Sequence, residues 1–123
     1  MALRVLVIDD SRFTIELVRG GLEGEFEVIP AENGREGLKL ARTELPDIIV
    51  LDLVLPDIPG ESVCRELKRG KTETIPVIML TAKNSDVDKV VGRVIGADAY
   101  IPKPFQMEEL LSVIRQLSGK GNG

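Results

Sequence analysis

Histidine and tryptophan are absent from the chain, and cysteine and tyrosine occur once each, as Cys64 and Tyr100. Without histidine there is no imidazole metal site, no Ser-His-Asp triad and no phosphohistidine carried by the molecule itself. A lone cysteine closes no intrachain disulfide, which fits a reducing cytoplasm, and inert core packing is its expected use. The longest apolar runs, such as Ile48 to Leu51 and Val77 to Leu80, are strand-length and far short of the ~20 residues a spanning helix needs. No membrane segment is predicted. The first eight residues run straight into Asp9-Asp10 and show no basic region, long apolar stretch or cleavage site, so no export signal is read there. Basic stripes are missing too: 16 Lys and Arg against 20 Asp and Glu give a formal charge of −4. Direct nucleic-acid binding is therefore not expected. Carboxylate chemistry is what remains.

What is present suits one ordinary core, with 43% of the 123 residues hydrophobic. Leu3 to Ile8 is a β-rich apolar run ending in Asp9-Asp10, as expected of a strand buried on both faces. Ser11 caps a helix in which Ile15, Val18 and Leu22 recur at helical spacing, and Gly20, Gly21 and Gly24 weaken and close it. Phe26 to Pro30 reads as a second strand. Asn33-Gly34 opens a second helix with Leu38, Ala41 and Leu45 on one face, stopped by Pro46. Asp47 to Leu53 is a third strand, apolar on both faces but carrying Asp52 near its end. Turn formers from Leu55 to Gly60 lead into a third helix with Val63, Cys64 and Leu67 inward and Glu61, Arg65, Glu66, Lys68 and Arg69 as a solvated face. Val77 to Leu80 is a fourth strand running into Thr81.

Asn84 or Ser85 caps a fourth helix, with Asp86 and Asp88 near its positive end, an apolar stripe of Val87, Val90, Val91, Val94 and Ile95, and Gly96 closing it. Ala99 to Ile101 is a fifth strand and Pro102-Lys103-Pro104 a stiff turn. Met107, Leu110, Leu111, Ile114 and Leu117 form the stripe of a last helix. Residues 119–123 read as a loose glycine-rich tail behind a domain of residues 1–118. Five strands alternating with five helices predict an α/β fold, a doubly wound five-stranded parallel sheet with right-handed crossovers. In the order 2-1-3-4-5, ligands gather at the carboxyl strand ends between strands one and three, where the winding reverses. Asp9, Asp10 and Asp52 fall there.

Carboxylates held together repel, at ~4 kcal/mol per pair at 4 Å with an effective dielectric constant of about 20, so such a cluster requires a cation or a proton. Oxygen ligands without histidine or paired cysteine favour a hard ion, Mg²⁺ foremost. A metal-paired carboxylate can also act as a nucleophile and form an acyl phosphate. The Lys103 ammonium and the Thr81 hydroxyl, both at strand ends, could then meet the phosphoryl oxygens.

The segments VLVIDDS, LDLVLPDIPG, VIMLTA and GADAYIPKPF, in that order over essentially the whole chain, resemble the receiver domains of bacterial two-component response regulators, including chemotaxis regulators. The resemblance implies a flavodoxin-like (βα)5 receiver fold in which Asp9, Asp10, Asp52 and the Val54 backbone carbonyl hold Mg²⁺, with Mn²⁺ as an alternative. It implies that Asp52 accepts the phosphoryl group, that Thr81 and Lys103 bind its oxygens and that Thr81 and Tyr100 form the switch. It implies too that Val54 and Lys83 occupy positions that tune the lifetime of the acyl phosphate. Ala99 departs from the pattern, since many members carry Asp before the aromatic residue. Receivers often hold the corresponding bond cis, so Lys103-Pro104 is predicted cis. The implied partners are a sensor histidine kinase or a histidine phosphotransfer protein upstream, and downstream a protein or output domain docking on the fourth helix, fifth strand and fifth helix. Such a domain catalyses only its own phosphorylation and dephosphorylation.

Plainer readings stand beside these. Asp9-Asp10 could be helix-start acids, Thr81 a strand-end hydroxyl, Lys103 a surface lysine and Tyr100 a packing residue. Asp52 is harder to dismiss, because an acid within IIVLDLVL is costly without a partner. Rival functions are an aspartate-nucleophile, Mg²⁺-dependent phosphohydrolase, a flavin carrier on the same sheet order and a scaffold that is never phosphorylated. Strand one lacks a D-x-D pair, the chain has no cap domain, and little aromatic surface is available to stack a flavin.

Overall fold

A computed structural model describes residues 2–82 and 96–119. The strands are β1 (Leu3–Ile8), β2 (Phe26–Ala31), β3 (Ile48–Asp52), β4 (Val77–Ala82) and β5 (Ala99–Lys103); the described helices are α1 (Arg12–Leu22), α2 (Gly34–Glu44), α3 (Gly60–Leu67) and α4 (Met107–Ser118). All strand pairs are parallel and the sheet order is β2-β1-β3-β4-β5, as the alternating pattern predicts. The fourth helix expected over residues 84–95, together with Lys83, lies outside the described residues.

Alternation along each strand divides the core into two halves. Leu6, Ile8, Ile49, Leu51 and Met79 pack with Ala41 of α2 and with Val63, Cys64 and Leu67 of α3. Val5, Val7, Ile48, Val50, Ile78 and Leu80 pack with Ile15, Val18 and Leu22 of α1 and with Leu110 and Ile114 of α4. Burial pushes the Cys64 thiol up to about 11, so this cysteine is an inert core side chain. The predicted Ser11 cap forms, its hydroxyl accepting the Thr14 N–H at 3.2 Å, and Asn33, expected to open α2, caps it by accepting the Glu36 N–H at 2.8 Å.

Several local expectations shift. Leu45 does not join the inner stripe of α2; it is the left-handed C-cap at φ 47° and is 48% exposed. The buried face of α2 is instead Gly34, Gly37 and Ala41, because a Cβ on Gly37 would fall within 3 Å of the Ile8 side chain. β5 extends past Ile101 through Pro102 and Lys103, which pair with Thr81 and Ala82. The Lys103-Pro104 bond is cis, as the resemblance predicts. Lys68 is no solvated charge: its ammonium reaches Asp98 at 2.8 Å and the Ile75 carbonyl at 3.0 Å, while Asp98 also accepts the Val77 N–H at 2.7 Å. Gly70–Thr72 forms an unpredicted 3-10 turn, in which the Thr72 hydroxyl donates to the Leu67 carbonyl at 2.6 Å and closes α3. α4 runs through Ser118 to a left-handed Gly119 at φ 81°.

Gly60 is enclosed by backbone. Its N–H donates to the Leu53 carbonyl at 2.8 Å, and a Cβ there would collide with the backbone of Asp52 and Leu53. Backbone cannot swing aside as a side chain can, so Gly60→Ala is expected to lower stability by about 1–3 kcal/mol in urea unfolding. A wild-type midpoint would show that the turn tolerates a Cβ.

Candidate functional site

Register places the acids. β1 and β3 pair as far as Ile8 and Leu51, so Asp9 and Asp52 leave the sheet side by side at its carboxyl edge. Asp52 is level with Leu80, and Leu80 with Ile101. Asp9, Asp52 and Lys103 each stand two residues beyond Val7, Val50 and Ile101, which all face α1 and α4, and so they share that side. Thr81 follows Met79 on the opposite side, where Tyr100 also packs, half-buried.

One oxygen from each of Asp9, Asp10 and Asp52 lies within 4.8 Å of the others. Asp9 is fully buried and Asp52 is 8% exposed, whereas Asp10 is open to solvent. The Lys103 ammonium bridges the two buried acids, 2.8 Å from Asp9 Oδ2 and 3.3 Å from Asp52 Oδ2. The other oxygens meet backbone: Asp9 Oδ1 accepts the Ser11 N–H at 2.9 Å, and Asp52 Oδ1 accepts the Val54 N–H at 3.3 Å. Val54 itself is 73% exposed. The Thr81 hydroxyl is buried near this mouth but makes no hydrogen bond to Asp52 or Lys103 among the described residues.

Burial, and then the charge of Asp9, raise the Asp52 pKa above its ordinary value against the opposing pull of Lys103. For Lys103, burial alone would lower the pKa, but the hydrogen bond to Asp9 and the charges of Asp52 and Asp9 outweigh it and raise it. The ammonium therefore stays charged, and counted formally one ammonium against three carboxylates leaves −2. A divalent cation with oxygen preference fits that donor set and that charge.

Sequence reasoning missed three features around this mouth. Asp57, read only as a turn former, reaches the start of α2. The Ser11 backbone N–H, besides its side-chain cap, fixes one Asp9 oxygen. Phe13 and Leu17 on α1 are 77% and 40% exposed and, with Pro104 and Phe105, line a cavity of about 290 Å³ that ends at Lys103. The off-pattern apolar positions 13 and 17 were the available signal for the last of these.

The family model for the response regulator receiver domain matches residues 5–115. The alkaline phosphatase synthesis transcriptional regulatory protein PhoP of Bacillus subtilis (strain 168) is 42% identical over 118 residues, covering 95% of this chain and 49% of that protein. Response regulator MprA of Mycobacterium tuberculosis (strain H37Rv) is likewise 42% identical over 95% of this chain and 51% of its own length. The chain thus spans about half the length of these curated relatives. Among solved structures, the chemotaxis response regulator CheY4 of Vibrio cholerae superposes with a TM-score of 0.88 at 29% identity, covering 95% of this chain and 99% of that one.

The raised Asp52 pKa has a stability consequence with a definite sign. The native state holds the Asp52 proton more tightly than the unfolded chain does, so stability falls as pH rises from the unfolded value near 3.8 through the higher native one. With a chelator present, Asp52→Asn is therefore expected to unfold at higher temperature than wild type at pH 7, and the difference should vanish at about pH 3. Equal melting temperatures at pH 7 would mean that Lys103 fully offsets burial and repulsion.

Proposed function

The chain belongs to the response regulator receiver domain family of two-component signalling, and we propose that Asp52 is its phospho-acceptor, served by Lys103, Thr81 and a Mg²⁺ site at Asp9 and Asp10. The observation that carries this reading is the Lys103 ammonium bridging two buried carboxylates where the winding of the sheet reverses.

A sensor histidine kinase or a histidine phosphotransfer protein presents a phosphohistidine. One Asp52 oxygen attacks phosphorus in line; the O–P bond forms as the P–N bond breaks, and the imidazole leaves with the bonding pair. Lys103, already within reach of Asp52, stabilises the charge on the transferring oxygens and needs no large reorganisation to do so. Mg²⁺, or Mn²⁺ in its place, would sit on Asp9, Asp10, Asp52 and the Val54 carbonyl and supply the divalent charge that offsets acids and phosphoryl oxygens. Attack of water on the acyl phosphate later returns Asp52, with Val54 and Lys83 tuning how soon. The domain, residues 1–118, thereby turns over only its own phosphoryl group.

Readout begins at Thr81 and Tyr100, which lie on the other face of the sheet from Asp52. Thr81 moving inward to the phosphoryl group changes the space beside Tyr100, which pairs with Met79 two residues before Thr81 and packs on the same side of the sheet. A downstream protein, or an output domain of the kind the longer relatives have room for, then reads the face of β5, its flanking last helix and the segment before β5. The apolar face of Phe13, Leu17, Pro104 and Phe105 borders Lys103 directly, and this continuity supports it as the seat of the phosphodonor protein. No described helix is long and apolar enough to cross a membrane, and we place the domain in the cytoplasm with its kinase.

Mass spectrometry after acetyl phosphate and Mg²⁺ tests the acceptor: a label is expected on Asp52, lost in Asp52→Ala and on adding chelator. An unlabelled wild type would leave only the scaffold role. Lys103→Ala is expected to slow labelling by about a hundredfold or more. Phe13→Asp should weaken transfer from a phosphohistidine protein while acetyl-phosphate labelling proceeds at the wild-type rate; parallel loss of both would remove the docking role.

A further inference from the structure

Asp57 stands in the turn between β3 and α3, exposed, yet both of its oxygens are engaged. Oδ1 accepts the Gly34 N–H at 2.8 Å and the Ile58 N–H at 2.9 Å, and Oδ2 accepts the Arg35 N–H at 2.9 Å. Gly34 and Arg35 open α2, where helical amides have no intrahelical partner. Asn33 satisfies the next one, at Glu36, so a residue 22 and 23 positions away supplies what the local cap leaves over. The fit is close: a Cβ on Gly34 would lie 2.9 Å from Val63 Cγ2 and 3.3 Å from Asp57 Oδ1. The rise that burial gives the Asp57 pKa is outweighed by the N–H groups of Arg35, Gly34 and Ile58, which leave it below the ordinary carboxylate value.

The same turn is fixed at its base by the Gly60 N–H on the Leu53 carbonyl. Val54 lies between the base and the Asp57 tie. Its side chain is largely in solvent, so packing does little to hold its peptide; the two ties bracket it while its N–H meets Asp52.

We infer that Asp57 is a positioning residue for the divalent-cation site: by anchoring the β3–α3 turn to the first turn of α2, it holds the Val54 peptide where its carbonyl can join the Asp9, Asp10 and Asp52 oxygens around the ion. This rests on the metal reading above. Outer groups that orient ligands typically matter about 10- to 100-fold in metal affinity. Coupling is reciprocal, so an anchor that favours the ion must itself be tightened by the ion.

Mg²⁺ titration of the whole chain by calorimetry, with amide exchange followed residue by residue, tests the inference in wild type, Asp57→Ala and Asp57→Asn. Asp57→Ala is expected to weaken Mg²⁺ by about tenfold or more. Asp57→Asn should fall between, since its amide group keeps one acceptor and turns a donor towards the other N–H. In wild type, Mg²⁺ should slow exchange at Gly34 and Arg35; in Asp57→Ala it should not. A lower melting temperature with Mg²⁺ affinity within about twofold of wild type would make Asp57 a helix cap only and overturn the inference. A wild type without saturable Mg²⁺ binding would overturn the metal reading and this one with it, whereas intact wild-type binding with an indifferent Asp57→Ala overturns this one alone.

Discussion

The mouth of this domain depends on one ammonium group held between two buried carboxylates. Asp9 and Asp52 leave neighbouring strands side by side, where two ionised acids out of water repel by several kcal/mol. Lys103 arrives from β5 and meets both. It cannot balance three acids alone, and that shortfall makes the site receptive to further positive charge and to the phosphoryl oxygens such charge attracts.

The sheet makes this arrangement possible by burying everything beneath it. β3 is buried along its whole length, and β1 and β4 are nearly so, which leaves their tips as the place where polar side chains can collect. Small residues bring the covering layers close. Gly37 lets α2 lie on Ile8, and Gly60 lets the turn after β3 double back on the strand it leaves. The turn beyond Asp52 is consequently pinned rather than loose, with Gly60 at one end and Asp57 on α2 at the other.

Much of this was legible in the chain because its signals are local. Apolar runs ending in Asp9-Asp10, Asp52 and Thr81 gave strands with polar tips, and Ser11 and Asn33 announced the starts of α1 and α2. What stayed hidden is relational. Leu45 continues the helical period, yet the chain turns left-handed there ahead of Pro46, and packing with β1 leaves Gly34 and Gly37 beside Ala41 on the inner face of α2. Lys68 looks like any helix-surface lysine until Asp98, 30 residues on, comes within reach. Asp57 is an ordinary turn residue by composition; only the folded molecule brings the amides of α2 to its carboxylate. β5 reads as ending at Ile101 because prolines discourage pairing, but at the edge of a sheet a missing donor is tolerated.

Parity along the strands has a consequence for how such a domain can change. Asp9, Asp52 and Lys103 look towards α1 and α4, while Thr81 and Tyr100 look the other way, so the strand tips divide their polar groups between the two faces of the sheet. Odd or even position alone decides which face a side chain joins. Substitutions can drift independently on the two sides, but inserting a single residue within β5 would carry the lysine across the partition and reverse the facing of the whole strand tip.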